Sequence, residues 1–268
     1  MATPKALVLT GHGINCERET QFAFERAGAD ADIVHVNDLI ANSKSLSSYQ
    51  IFAFPGGFSY GDDTGAGNAM ANKIRSRLFN GTREFIERGN LVIGICNGFQ
   101  VLANLGLLPA LDEGYGARQV ALVHNDSARY VDRWVDVEFS GQSPWTRGLG
   151  RMSLPIAHGE GKFYARPQIL SAINEKGLVA ARYVLGEICD YQSLSANPNG
   201  SLDNIAGITD VSGRVLGLMP HPERAIDFTH LPNWTLLKEQ YKRQDRPCPE
   251  EADGLKIFRN AVDYSAGS

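Results

Sequence analysis

The sequence lacks both an excess of basic residues and any long apolar run. The 268 residues include 26 Lys and Arg and 30 Asp and Glu, so the formal net charge is −4. The chain therefore lacks the excess positive charge that would displace counterions from the phosphate backbone of a nucleic acid. No apolar run approaches the roughly 20 residues of a membrane-spanning helix, and the beginning of the chain, MATPKALVLT, lacks the features of a signal peptide. We therefore expect no nucleic-acid partner, no membrane partner and a cytoplasmic location.

Cysteine is scarce, and its spacing excludes the usual structural roles. The four cysteines lie far apart, without C-x-x-C pairs or histidines at zinc-finger spacing. We therefore expect a reduced protein without a metal site, in which a cysteine is most often a small buried apolar residue. The phosphate-binding pattern G-x-x-x-x-G-K-[ST] is also missing, and GHGINCE, rather than G-x-G-x-x-G, follows the first apolar run. The sequence thus predicts no ATP or dinucleotide site in this chain.

The first hundred residues alternate between short apolar runs and helix-like segments. The apolar runs are KALVLT, DIVHV, QIFAF and LVIGI, and the helix-like segments lie at about 16–28, 66–88 and 97–106. This βαβ alternation predicts an α/β fold with a mostly parallel, doubly wound sheet flanked by helices. In such a sheet, ligands bind at the carboxyl ends of the strands.

From about residue 119 the pattern changes to strand-like pieces joined by Gly, Pro, Asn and Asp turns. The pieces QVALVHN, WVDVEF, LPIAH, LVAARYV, IAGIT and VLGLM predict an added antiparallel section plus the last strands of the sheet. A final amphipathic helix is expected at 254–264, whereas residues 227–253 are polar and expected to be loop-like for much of their length. No repeat or linker divides the chain, so residues 1–268 are predicted to form a single domain.

One cysteine has a context that argues against a core role. Cys96 lies between LVIGI and NGFQVLANL, on a predicted tight turn from a buried strand to a helix, with Gly94 and Gly98 close by to allow the backbones to approach. This is the arrangement of a nucleophile elbow, in which the positive end of the helix favours a thiolate. The N–H of Asn97 would then point towards an oxyanion.

A thiolate nucleophile needs a base, and the sequence has two candidates with the same H-x-E spacing. They are His158 with Glu160, and His221 with Glu223. An extended H-x-E places both side chains on the same side of the backbone, so the carboxylate can orient the imidazole. His221 has the better context, because prolines flank it and VLGLM predicts a buried strand before it, but spacing alone leaves the choice open.

A glycine-rich loop, PGGFSYGDD at 55–63, directly follows the apolar run QIFAF. Such a loop is common as a simple turn before a helix. At the carboxyl end of a strand, however, it can present backbone N–H groups, here that of Gly57, to the same oxyanion as Asn97.

Five motifs, in order and spanning nearly the whole chain, give it a family resemblance. They are GGFSYGD (56–62), GICNGFQ (94–100), AHGEGKF (157–163), NPNGS (197–201) followed by IAGI, and MPHPERA (219–225). With these motifs the chain resembles the class I, triad-type glutamine amidotransferases and, within them, the branch that serves de novo purine synthesis. The resemblance implies the flavodoxin-like fold of that family.

The resemblance also implies roles for the site residues. It makes Cys96 the nucleophile, His221 the base and Glu223 the group that orients the base. His158 is assigned to the glutamine pocket. The other residues expected in that pocket are Phe58, Gln100 and Glu160.

The implied activity is the hydrolysis of glutamine through a γ-glutamyl thioester, which releases ammonia. The ammonia would pass to a large synthetase subunit, with or without a small bridging subunit, that uses ATP and magnesium to convert formylglycinamide ribonucleotide to its amidine. No cofactor is expected in this chain. Two alternatives stay open: a stand-alone cysteine hydrolase of the γ-glutamyl hydrolase or peptidase type on the same fold, and a non-catalytic regulatory subunit. Residues 226–253 form a longer segment than the resemblance implies. We favour the interpretation that this segment is exposed to solvent over the interpretation that it contacts a partner.

Overall fold

A nine-stranded mixed sheet forms the centre of the computed structural model, which describes residues 3–112 and 114–267. The strands of this sheet and of a separate two-stranded sheet are β1 (Lys5–Thr10), β2 (Asp30–His35), β3 (Ile51–Phe54), β4 (Leu91–Ile95), β5 (Val120–Val123), β6 (Val131–Phe139), β7 (Arg151–His158), β8 (Lys162–Ala165), β9 (Val179–Val184), β10 (Ile205–Thr209) and β11 (Val215–Leu218).

The sheet has a parallel half and an antiparallel half. Strands β2, β1, β3, β4 and β11 are neighbours in that order and run parallel. Strands β10, β9, β6 and β7 continue the sheet with antiparallel pairings, and β5 pairs with β8 in the small sheet. The predicted α/β fold, with its parallel sheet and added antiparallel section, is confirmed.

Nine α-helices are found among the described residues. They are α1 (Glu17–Ala27), α2 (Val36–Ala41), α3 (Asn68–Arg77), α4 (Phe79–Glu87), α5 (Asn97–Leu105), α6 (Pro167–Glu175), α7 (Glu187–Gln192), α8 (Trp234–Arg243) and α9 (Leu255–Ala266). Helix α1 packs against α9, and α3 packs against α5. Because the chain steps in opposite directions from β1 to β2 and from β3 to β4, right-handed crossovers place α1 and α3 on opposite faces.

The structure differs from the sequence prediction in several places, since α2, α6 and α7 lie outside the predicted helix-like segments. The helix-like segment at 66–88 is two helices, because Leu78 leaves the helical region at φ −121° and ψ −7° and buries its side chain. Residues 227–253, expected to be loop-like for much of their length, contain the ten-residue helix α8. Trp234, Leu237 and Tyr241 recur at the spacing of one helical face and are half-buried, but no side chain of α8 is fully buried, so the helix packs on the surface of the fold. Among the described residues no helix is both long and apolar enough to cross a bilayer.

Glycines let α5 approach the sheet closely where the parallel strands end. A Cβ added to Gly98 would collide with the carbonyl oxygen of Phe54 at the end of β3. A Cβ added to Gly94 would lie 2.5 Å from the carbonyl oxygen of Gly98. The elbow glycines are therefore required by backbone contacts, as the sequence predicts.

Gly98→Ala should destabilise the protein by at least about 1–3 kcal/mol, because the new methyl group meets backbone that cannot move aside. Gly81→Ala in α4 is the matched control, since a Cβ there meets no atom within 4 Å. That control should raise stability by about 0.5–1 kcal/mol, the usual advantage of Ala over Gly inside a helix. Urea unfolding of both variants measures the difference, and equal midpoints would contradict the close approach of α5.

Candidate active site

Cys96 occupies the sharp turn between β4 and α5. Its backbone has φ 51° and ψ −106°, a left-handed conformation that is strained for a residue with a side chain. The N–H of Cys96 donates to the carbonyl oxygen of Leu218 at 2.8 Å, which ties the turn to the end of β11. The thiol is buried and lies 3.6 Å from the carbonyl oxygen of Ala157. This is the geometry of a nucleophile elbow, with the thiol at the amino end of a helix.

His221 and Glu223 follow β11, the strand beside β4. The N–H of His221 donates to the carbonyl oxygen of Pro155 on β7 at 2.8 Å, and a short 3-10 turn at Pro222–Arg224 brings Glu223 back towards the ring. Nδ1 of His221 lies 2.5 Å from Oε1 of Glu223, and both side chains are buried. Nε2 of His221 has no hydrogen-bond partner within residues 3–112 and 114–267. The carboxylate thus fixes one ring nitrogen and leaves the other free.

The electrostatic surroundings favour a protonated His221. Burial alone would lower its pKa, but the carboxylate of Glu223 and the thiols of Cys96 and Cys16 outweigh burial and hold the pKa well above its usual value. An imidazolium beside Cys96 balances the charge of a thiolate, which is the reactive form of the nucleophile.

The two H-x-E sequences form different structures. Nδ1 of His158 lies 3.1 Å from Oδ1 of Asn125 and is not paired with Glu160. The carboxylate of Glu160 instead accepts from the N–H of Ala66 at 3.2 Å and has His124 at 3.9 Å. Only the second sequence forms a histidine–carboxylate pair, so the geometry favours His221 over His158 as the base.

His158 is held as a neutral imidazole with a defined tautomer. The Nδ2 group of Asn125 donates to the carbonyl oxygen of His158 at 2.8 Å, so the Oδ1 atom of Asn125 is the acceptor and Nδ1 of His158 carries the proton. Burial and the positive charge of His221 lower the pKa of His158 to about 4. Nε2 is therefore a bare acceptor, buried and without a partner among the same described residues.

The predicted oxyanion donors lie on two connected loops. Gly57 adopts φ 148°, and the next residue, Phe58, donates its N–H to the carbonyl oxygen of Gly13 at 2.7 Å. The side chain of Asn97 accepts from the N–H of Ser59 at 3.3 Å and so joins this loop to the elbow. In the part of the chain that the structure describes, neither Gly57 N–H nor Asn97 N–H donates to another group. Both remain available for a ligand.

Three of the residues predicted for a glutamine pocket lie beside the elbow. Nε2 of Gln100 donates to the carbonyl oxygen of Glu160 at 2.6 Å, and both residues line a polar cavity of about 100 Å³ with Arg118. Phe58 is exposed, and its ring lies 6.0 Å from that of Tyr130. Phe58 is therefore open to solvent beside Tyr130, whereas Gln100 and Glu160 contact each other and line the cavity.

Sequence reasoning missed three residues around the site. Asn125 fixes His158, and Asn199 donates from Nδ2 to the carbonyl oxygen of Gly161 at 2.8 Å. Burial, together with the negative charges of Cys96 and Asp132, raises the pKa of Tyr130, whose ring lies 6.0 Å from that of Phe58. The NPNGS motif signalled Asn199, but no local pattern marks Asn125 or Tyr130, because both reach the site through long-range contacts.

Three of the buried side chains could in principle hold a metal ion. Donor atoms of Cys16, His221 and Glu223 lie within 4.8 Å of one another. Their atoms are already engaged, however, since Nδ1 of His221 is bonded to Glu223 and Nη2 of Arg224 lies 2.9 Å from the Cys16 thiol. A guanidinium at that distance opposes a second cation, so the donor set fits a hydrogen-bonded cluster better than a metal centre.

The fold and the site define a class of protein: an α/β enzyme with a cysteine at a strand-to-helix elbow and a buried histidine–glutamate pair. Comparison with known families agrees with this class. A model of the CobB/CobQ-like glutamine amidotransferase domain matches residues 3–265, and the chain belongs to this family.

Two similar proteins carry the name of one particular enzyme subunit. Phosphoribosylformylglycinamidine synthase subunit PurQ of Methanococcus maripaludis strain C5 is 49% identical, with 97% of this chain and 98% of the relative covered. The subunit of the same name from Dehalococcoides mccartyi is 42% identical, with 99% of both chains covered. Among solved structures, PurLQS from Thermotoga maritima matches with a TM-score of 0.70 and 30% identity, covering 98% of this chain and 99% of that one.

The tautomer assigned to His158 predicts its behaviour on titration. The neutral Nδ1–H form should persist from pH 8 to about pH 5, because burial lowers the pKa of His158 to about 4, well below the ordinary histidine pKa of about 6.5. Nitrogen-15 NMR of the imidazoles measures this directly. In the unfolded chain the imidazole takes up a proton near pH 6.5, whereas in the folded protein it does so only near pH 4. The free energy of unfolding should therefore fall by up to about 3 kcal/mol as the pH is lowered from 6.5 to 4. Titration of His158 near pH 6.5 would contradict the assignment.

Proposed function

We propose that this chain is the glutaminase subunit of a phosphoribosylformylglycinamidine synthase. It hydrolyses glutamine to glutamate and supplies the ammonia for the ATP-dependent conversion of formylglycinamide ribonucleotide to its amidine in purine synthesis. The observation that carries the proposal is the match to PurQ subunits over nearly the whole of both chains. The site described above supports it, because it contains the parts that thioester chemistry needs.

In the first step of the proposed mechanism, the thiolate of Cys96 attacks the side-chain carboxamide carbon of glutamine. The N–H groups of Gly57 and Asn97 stabilise the oxyanion that forms, since both are free of other acceptors. His221 protonates the departing nitrogen, and ammonia leaves with a γ-glutamyl thioester on Cys96. Water, deprotonated by His221, then attacks the thioester carbonyl and releases glutamate and the thiol.

Glu223 and His158 have supporting roles in this mechanism. The 2.5 Å contact from Glu223 to Nδ1 orients the imidazole of His221 and stabilises its protonated form. The unpartnered Nε2 of His158 is an acceptor for an N–H of the substrate carboxamide or of the ammonia that leaves. Phe58, Gln100 and Glu160 surround the remainder of the glutamine molecule.

The partners follow from the same relationship. The relatives are named as subunits, and the solved neighbour is named PurLQS, an assembly rather than a single chain. We therefore place this chain in a complex with a large synthetase subunit and a small bridging subunit. In this arrangement ATP and magnesium bind to the synthetase, and this chain contributes ammonia.

Cys96→Ala in the reconstituted complex should reduce glutamine-dependent amidine formation by at least about 10³-fold, because no other group can form the thioester. Synthesis from ammonium salts should continue at the wild-type rate, since the synthetase is unchanged. The control is Cys248→Ala, which alters an exposed cysteine. Steady-state measurement of amidine formation with each nitrogen source tests the proposal. Retention of glutamine-dependent synthesis by Cys96→Ala would overturn the assigned nucleophile, and a wild-type complex that uses only ammonium would overturn the function.

A further inference from the structure

A second thiol, that of Cys16, lies buried behind the imidazole of His221. Cys16 directly precedes α1 and is 1% exposed. Its sulfur, one ring nitrogen of His221 and one carboxylate oxygen of Glu223 all lie within 4.8 Å of one another. No step of the mechanism above uses this thiol, and no sequence pattern marked it.

The neighbours of the Cys16 sulfur are polar, which distinguishes it from a cysteine in an apolar core. The thiol donates to Oδ1 of Asn15 at 3.1 Å, and Nη2 of Arg224 donates to the sulfur at 2.9 Å. Burial raises the pKa of the thiol, so it stays protonated and uncharged. A neutral sulfur that both donates and accepts can hold a guanidinium without adding a negative charge beside the His221–Glu223 pair.

The surrounding backbone shows that Cys16 and His221 share a confined space. The N–H groups of Asn15 and Cys16 both donate to the carbonyl oxygen of Gly56 at 3.3 Å. A Cβ added to Gly56 would lie 2.6 Å from Cε1 of His221 and 3.1 Å from the Cys16 sulfur. The imidazole therefore packs against the loops that follow β1 and β3, with Cys16 and Gly56 both beside it.

Arg224 links the packing of Cys16 to the His221–Glu223 pair. It follows Glu223 directly, and Oε2 of Glu223 is buried without a partner among the described residues. A free guanidinium would pair with that oxygen and compete with His221 for the carboxylate. In the structure Nη2 of Arg224 instead donates to the Cys16 sulfur and lies 3.9 Å from Oε1 of Glu19 on α1.

We propose that Cys16 is a positioning residue for His221. Its side chain limits movement of the ring on one side and keeps Arg224 away from Glu223, so that the carboxylate stays on Nδ1 and Nε2 stays directed at the reaction. The proposal rests on the proposed function, because it assigns His221 as the base. It gives Cys16 no covalent role, since a buried, protonated thiol is a poor nucleophile.

The test compares Cys16→Ala, Cys16→Ser and Cys189→Ala in the reconstituted complex. Cys189 is a fully buried cysteine on α7, a helix that carries none of the site residues, so its substitution removes a buried sulfur elsewhere in the fold. Cys16→Ala should lower kcat for glutamine hydrolysis by about 10-fold to 100-fold with KM within about 2-fold, because a base displaced by a fraction of an ångström loses rate rather than substrate affinity. Cys16→Ser keeps a donor and an acceptor and should lose less.

A second readout separates positioning from general destabilisation. The rate at which a glutamine-mimicking diazoketone alkylates Cys96 should fall in Cys16→Ala and stay at the wild-type value in Cys189→Ala, even where both variants lower Tm equally. Ammonium-dependent synthesis should be unchanged in all three variants. Wild-type kcat in Cys16→Ala, equal kcat losses in Cys16→Ala and Cys16→Ser, or an equal loss in Cys189→Ala would each overturn the proposal. A failure of the proposed function is distinguishable, because then the wild-type complex itself would not use glutamine.

Discussion

The parallel pairing of β4 with β11 is the constraint on which the site depends. Ile95, the last residue of β4, is paired with Leu218, the last residue of β11, so the thiol and the base leave the sheet from adjacent positions. The N–H of Cys96 bonded to the carbonyl oxygen of Leu218 extends this pairing by one residue into the elbow. Because both strands are buried on both faces, the separation between the ends of β4 and β11 is set by the sheet rather than by flexible loops.

The buried contact between His221 and Glu223 then decides how the site can react. Away from water the carboxylate strengthens its bond to Nδ1, raises the affinity of the ring for a proton and leaves Nε2 directed elsewhere. His158 has the opposite character, because Asn125 is a neutral partner and burial dominates. The site thus contains two imidazoles, one suited to proton transfer and one suited to accepting a hydrogen bond.

Much of the fold and part of the site could be predicted from the sequence. The runs KALVLT and LVIGI became β1 and β4, and the elbow around Cys96 followed from glycines whose neighbours are other backbone atoms. The spacing of the two H-x-E sequences could not show which histidine pairs with its glutamate, because the backbone takes a different course after each histidine. Pro222 begins a tight 3-10 turn, whereas Gly159 begins a loop that carries Glu160 towards Ala66. Cys16, Asn125 and Arg224 could not be placed either, since their roles depend on partners far away in the chain.

The most direct test of this account is the site at which a glutamine-mimicking diazoketone reacts with the complex. The account predicts one label per chain, on Cys96, with glutamine-dependent synthesis lost in proportion to labelling and ammonium-dependent synthesis retained. Cys16, Cys189 and Cys248 should stay unmodified, because burial keeps the Cys16 thiol protonated, Cys189 is buried on α7, and Cys248 is exposed and outside every helix of the described residues. Labelling of Cys16 in place of Cys96, or full glutamine turnover by a complex labelled at Cys96, would contradict it.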